Sequence, residues 1–141
     1  MGATGAKTRQ VDRRIQILIA DDYPAIRQIV RSTLDQHPAF EVCGEVENGA
    51  DAVKEARKLR PDVVVLNVCM PVLNGFDAAR EIRASLPETA IVILSSNADQ
   101  HFIEEAKKIG VQAYVAKMQI GEALIRAINQ AVQGSEFVLV K

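Results

Sequence analysis

The sequence predicts a single α/β domain built on a five-stranded parallel sheet, order 2-1-3-4-5, with helices on both faces. Two observations carry this. Five short apolar runs alternate with five segments of helical period, and three of the runs are almost wholly aliphatic and β-branched, as central strands buried on both faces should be. Strict β-α alternation then implies right-handed crossovers and a parallel sheet. The 141 residues suffice for one domain with a real core, and 48% hydrophobic with 25% charged residues is an ordinary globular composition.

The strands fall at residues 16–20 (QILIA), 41–46 (EVCGEV), 63–67 (VVVLN), 91–95 (IVILS) and 113–116 (AYVA). The second alternates more than the others and belongs nearer an edge. The first helix starts near Pro24, a residue suited to a first turn, and gathers Ile26, Ile29, Val30, Thr33 and Leu34 on one face. Ala52, Val53, Ala56 and Leu59 line the second helix. Phe76, Ala79, Ile82 and Leu86 line the third. Phe102, Ile103, Ala106 and Ile109 line the fourth, which Gly110 caps, and Leu124, Ile128, Ala131 and Val132 line the fifth. Arg60-Pro61-Asp62 and Leu86-Pro87 punctuate helix-to-strand connections.

Residues 1–14 read as a flexible leader, Gly/Ala/Thr-rich and then basic, and residues 134–141 as a short C-terminal tail outside a domain spanning 15–133. Gly2-Ala-Thr-Gly-Ala-Lys-Thr8 fails as a phosphate-binding loop, because Ala6 stands where glycine belongs and no strand precedes it. Ala6 also breaks the myristoylation pattern. A formal net charge of -1 gives no reason to expect nucleic acid or an anionic membrane as a direct partner. No apolar run approaches membrane-spanning length and no secretory signal opens the chain. Cys43 and Cys69 fit no metal-ligand spacing and read as reduced thiols, so the expected location is cytoplasmic.

In such a fold, function gathers at the carboxyl ends of the strands near the point where strand order reverses. There the sequence offers Asp21-Asp22, Asn67 with Val68-Cys69-Met70-Pro71, Ser95-Ser96 and Lys117. A carboxylate pair beside carbonyl oxygens is a seat for a hard cation such as Mg2+, and a hydroxyl with a lysine could grip phosphoryl oxygens. Each residue also has a plainer reading. Asp22 alone would be a helix N-cap and Ser95 and Ser96 ordinary loop residues. Lys117 would be a solvated lysine, Tyr114 core filling, and Cys69 a loop residue beside the site. Their placement at one rim favours the functional reading, with Lys117 ion-paired to the Asp21-Asp22 carboxylates.

Together these residues resemble the receiver domain of two-component response regulators, a CheY-like, flavodoxin-like fold, over about residues 14–133. No one motif is specific; their joint placement at the right strand ends is. Asp21-Asp22 resembles the family's acidic metal-binding pair. Met70-Pro71-x-x-Asn74-Gly75 resembles the loop after the phosphorylation site. Ser95 matches the switch Ser/Thr, Ser96 the small residue after it, Tyr114 the aromatic switch, and Lys117 the lysine three residues on. The His37-Pro38 turn and residues 42–45 are also similar to receivers of LuxR-type transcription regulators. The resemblance implies phosphorelay signalling in the regulation of transcription, with no enzymatic turnover. Its implied partners are a histidine kinase or another signalling protein, with a second copy of the chain as an option.

One residue departs from the pattern. Where the family carries Leu-Asp, this chain has Leu66-Asn67. A carboxylate can attack phosphorus; a carboxamide, neutral and with its lone pair delocalised, is no practical nucleophile. The metal seat loses a charge as well, worth about 1 kcal/mol at ~4 Å in water and about 4 kcal/mol near a protein surface. Mg2+ binding is therefore expected to be weakened or absent, resting on Asp22, the Asn67 oxygen and the Cys69 carbonyl, with Asp21 acting through water. A natural atypical receiver and an Asp-to-Asn variant both account for such a chain. Two other classes compete. A nucleotide binder of flavodoxin type wants a Ser/Thr/Gly-rich loop where Asp21-Asp22-Tyr23-Pro24 stands, and a metal-dependent phosphatase lacks its aspartate nucleophile.

Overall fold

The computed structural model describes residues 13–134 and 136–141, so the leader expected at the N-terminus lies almost wholly outside the described residues. The strands are β1 (Ile15–Ala20), β2 (Phe40–Val46), β3 (Val63–Leu66), β4 (Ala90–Ser95), β5 (Ala113–Ala116) and β6 (Val138–Val140). The helices are α1 (Pro24–Asp35), α2 (Gly49–Leu59), α3 (Gly75–Ser85), α4 (Gln100–Ile109) and α5 (Glu122–Val132). All pairings are parallel, in the order β2-β1-β3-β4-β5-β6.

The sheet thus has six strands, which corrects the five expected from sequence. Val138–Val140 lies in the stretch read as a tail and adds to β5, with Ala113 opposite Val138 and Val115 opposite Val140. Val138 and Val140 pack against the apolar cluster beneath α5, while Leu139 stays 43% exposed. The remaining strands stand where the apolar runs put them. β2 is at the edge, as its alternation suggested, and its register slips between Ile17 and Leu18 so that Cys43 is bulged out of the ladder.

Successive strand residues point to opposite faces, so the sheet divides two cores. On one face Leu18, Val64, Leu66, Ile91, Ile93 and Tyr114 meet α2, α3 and α4 through Ala52, Ala56, Ala79, Ile82, Ile103 and Ala106. On the other Ile17, Ile19, Val63, Val65, Val92 and Val115 meet α1 and α5 through Val30, Leu34, Leu124 and Ile128. Ile29 and Val132, placed on buried faces by periodicity, are 48% and 40% exposed at the margins of those faces.

Helix ends are set by side chains the sequence makes visible. Asn48 caps α2 by accepting from Asp51 N, Asn74 caps α3 by accepting from Asp77 N, and Asp99 caps α4 by accepting from Phe102 N. Gly110, at φ 91, closes α4 in a left-handed conformation that costs glycine little. Among the described residues no helix is long and apolar enough to cross a membrane.

Candidate functional site

Strand order reverses between β2-β1 and β1-β3, so the loops leaving β1 and β3 part to opposite faces and open a crevice at their carboxyl ends. Asp21 and Asp22 follow β1 directly. Asn67 follows β3, and its N–H donates to Ala20 O at 2.9 Å, extending the β1–β3 ladder by one rung.

Asn67 is held from below. It is 5% exposed, and its backbone carbonyl lies against Gly75 so closely that a Cβ on residue 75 would fall 1.9 Å from the oxygen. Gly75 N donates to Val68 O at 2.6 Å, folding the β3–α3 loop back over the strand end. The fold-back puts Val72 at φ 70, a left-handed conformation that a β-branched residue rarely adopts. Above, the Asn67 amide donates from Nδ2 to Asp22 Oδ1 at 3.2 Å and to Cys69 O at 2.9 Å.

The two aspartates have different surroundings. Asp21, 2% exposed, accepts from Tyr23 N on Oδ1 at 2.9 Å. Its Oδ2 meets no donor in good hydrogen-bond geometry but faces Lys117 Nζ at 2.9 Å, and both side chains are largely buried. An ammonium so placed neutralises the carboxylate it touches. Lys117 opens the 3-10 turn Lys117–Gln119 and also sits 5.6 Å from the Tyr23 ring centroid. Asp22 is partly exposed and takes its hydrogen bond from Asn67. It does not cap α1; Tyr23 occupies that position and offers no side-chain cap.

Ser95 closes β4 and is 3% exposed. Its hydroxyl donates to Asn97 O at 3.1 Å and accepts from Asn97 N at 3.0 Å, so it is committed to the β4–α4 loop. Tyr114, fully buried, donates its hydroxyl to the same Asn97 carbonyl. Burial pushes the Tyr114 hydroxyl above its ordinary pKa, with the neighbouring Ser95 hydroxyl pulling the other way and Asp99 adding to the rise. Asn97 is the member that the sequence reading missed. The signal was local: an Asn two residues before the capping Asp99, whose N–H its Oδ1 accepts at 3.0 Å. Ser96 is exposed beside this group.

The structure therefore joins Asp22, Asn67 and the Cys69 carbonyl by hydrogen bonds, places the Asp21–Lys117 ion pair next to them along the chain, and ties Ser95 to Tyr114 through Asn97. The Cys69 side chain is exposed and contributes its backbone alone. Three loops around the cluster each present a large apolar side chain: Tyr23, Val72 and Met118 at 61%, 81% and 85% exposure, the three highest among the described large hydrophobics.

A receiver domain model matches residues 17–129. The chain belongs to the response regulator receiver family. Its relatives include the transcriptional regulatory protein DegU of Brevibacillus brevis, 32% identical over 90% of this chain and 54% of that protein. The nitrate/nitrite response regulator protein NarL of Escherichia coli (strain K12) is likewise 32% identical, over 87% of this chain and 56% of that protein. This receiver chain thus spans little more than half the length of those curated relatives. Among solved structures, a LuxR-family two-component response regulator from Aurantimonas superposes with a TM-score of 0.83 at 27% identity, covering 87% of this chain and 88% of that one.

The resemblance to receivers implies a divalent cation on the acidic pair, and the donor set here can be tested for it. Mg2+ asks for about six oxygen ligands in a regular octahedron. Here Asp22 Oδ1 and Cys69 O converge on the Asn67 NH2 group, a donor, while Asp21 is already neutralised by Lys117. Among the described residues no group of three His, Cys, Asp or Glu side chains is arranged to hold a metal. As arranged, the Asn67 NH2 group occupies the point on which the Asp22 and Cys69 oxygens converge.

Proposed function

We propose that this chain is a receiver domain of two-component signalling that acts by docking with a protein partner and does not accept a phosphoryl group at Asn67. One observation carries the reading: the residue at the phosphoacceptor position is a buried amide whose NH2 group is engaged by Asp22 and the Cys69 carbonyl. An amide so held has neither the charge nor the free lone pair to attack phosphorus. Asp21, Asp22, Ser95, Ser96, Tyr114 and Lys117 remain as a frame at the positions that the family pattern gives them, with Ser95 and Tyr114 as the switch pair. Mg2+ binding at the rim, through Asp22, Asn67 and the Cys69 carbonyl, is weakened or absent.

The apolar side chains of Tyr23, Val72 and Met118 around the rim support a docking face, and a histidine kinase is the partner that suits it. Relatives that regulate transcription favour an output in gene control, reached through a partner or through sequence beyond this receiver unit. The site chemistry does not favour a nucleotide-binding reading, because the loop after β1 is acidic where a phosphate would have to lie.

The test is treatment with acetyl phosphate and Mg2+ followed by intact-mass measurement. The expected result is unchanged mass. A phosphate adduct mapping to Asn67 or its loop overturns the proposal.

A further inference from the structure

We propose that the Asn67 carboxamide takes over the structural work of the divalent cation, its NH2 group joining the loop after β1 to the loop after β3 without metal. This rests on reading the rim as a receiver site and concerns how that site is held.

The geometry begins with the amide's two hydrogen bonds. One goes to Asp22 Oδ1 at 3.2 Å, on the β1–α1 loop, and the other to Cys69 O at 2.9 Å, on the β3–α3 loop. The orientation is fixed by chemistry. Turned over, the amide would set its own oxygen against a carboxylate and a carbonyl, three acceptors with no hydrogen between them. Burial to 5% exposure keeps water from taking over either bond.

The same two oxygens are those the resemblance assigns to the metal. A cation at ~2.1 Å from each could not share their convergence point with the amide nitrogen. Binding there would require Asn67 to give up both hydrogen bonds and turn its oxygen inward. The reward would be small. Of the acidic pair, Asp21 is matched by Lys117 at 2.9 Å, which leaves Asp22 as the carboxylate without a cationic partner among the described residues. An aspartate at 67 would reverse the situation, packing carboxylate oxygens against Asp22 Oδ1 and the Cys69 carbonyl and making a cation necessary. The amide makes the frame self-sufficient and leaves it indifferent to Mg2+.

Thermal melts of the parent and Asn67→Asp, in EDTA and in millimolar Mg2+, test this. The parent Tm should not move between the two buffers. Asn67→Asp should melt roughly 3–7 °C below the parent in EDTA and recover with Mg2+, which binds its folded state preferentially. A parent Tm that climbs with Mg2+ as far as that of Asn67→Asp overturns the proposal. Should Asn67→Asp fail to fold, NMR of the parent decides. The Asn67 side-chain NH2 resonances should be protected from exchange and unmoved by Mg2+, and their loss or large shift on titration overturns the proposal. The receiver reading is tested separately by acetyl phosphate. If Asn67→Asp gains phosphate while the parent responds to Mg2+, the cross-link fails and the receiver reading stands. If a folded, Mg2+-binding Asn67→Asp takes no phosphate, the rim is not a phosphoacceptor site, and the proposal, which rests on that reading, fails with it.

Discussion

Gly75→Ala should damage this domain far more than its place at the start of a helix suggests. In an exposed first turn the change would be neutral or would gain up to about 1 kcal/mol of helix propensity. Here the new Cβ would lie 1.9 Å from Asn67 O and 2.8 Å from Val68 Cα. Ordinary contact is about 3.5 Å, so the β3–α3 loop must retreat by on the order of 1.5 Å. That movement breaks the 2.6 Å bond from Gly75 N to Val68 O and loosens the Asn74 cap on Asp77 N, each worth about 1 kcal/mol. It also drags the Cys69 carbonyl from the Asn67 amide, costing about 1 kcal/mol more. Against the propensity gain, the net loss is about 2 kcal/mol. For a domain of this size that lowers Tm by about 7 °C. Circular dichroism melts and urea titration measure it, and NMR of the Asn67 side-chain amide reports whether the site moves with the loop. A Tm within about 1 °C of the parent would refute the reasoning, because the loop would then be free to yield.

Val72 should respond in the opposite sense. Its left-handed φ of 70 costs roughly 1–2 kcal/mol, and at 81% exposure little burial offsets it. Glycine there adds roughly 0.5–1 kcal/mol of unfolded-state entropy, so Val72→Gly should still raise Tm by about 2 °C; a fall would mean that contacts hold the valine in place. Tyr114 should give the protein an alkaline limit. Its pKa is raised by burial in the folded state, so its contribution is whole below the unfolded tyrosine value of about 10 and is lost as pH rises through the folded value. Urea titrations near pH ~8 and pH ~11 should show the parent losing more stability than Tyr114→Phe. Cys43, whose pKa burial also raises, is common to both proteins and cancels in the difference. Equal losses would remove Tyr114 from the account.

Most of the fold was legible because burial on both faces leaves an unmistakable record. VVVL at β3 and IVIL within β4 can be little else between two helix-period segments. The acidic pair, Asn67, Ser95 and Lys117 were legible for a related reason, since a parallel sheet delivers every strand end to the same rim. β6 was not. Three residues, Val138–Val140, carry no period of their own, and pairing with β5 is what makes them a strand. Neither was the turn of the Asn67 amide. Sequence shows that an amide is present and suggests its oxygen as a metal ligand; which end faces inward depends on two acceptors that arrive from separate loops. Asn97 escaped because its part is played by a backbone carbonyl, which any residue possesses.

The division of the interior by the sheet bears on how the molecule can change. Val64 looks toward α2, α3 and α4 and its neighbour Val65 toward α1 and α5, so adjacent positions belong to different packing problems. Among the described residues the two apolar clusters share no side chain, and a wall of backbone hydrogen bonds stands between them. Either half can be remodelled, to fit a new docking partner for instance, while the other is left as it stands. At the crevice at the strand ends, where β1 and β3 send their loops to opposite sides, both halves must agree.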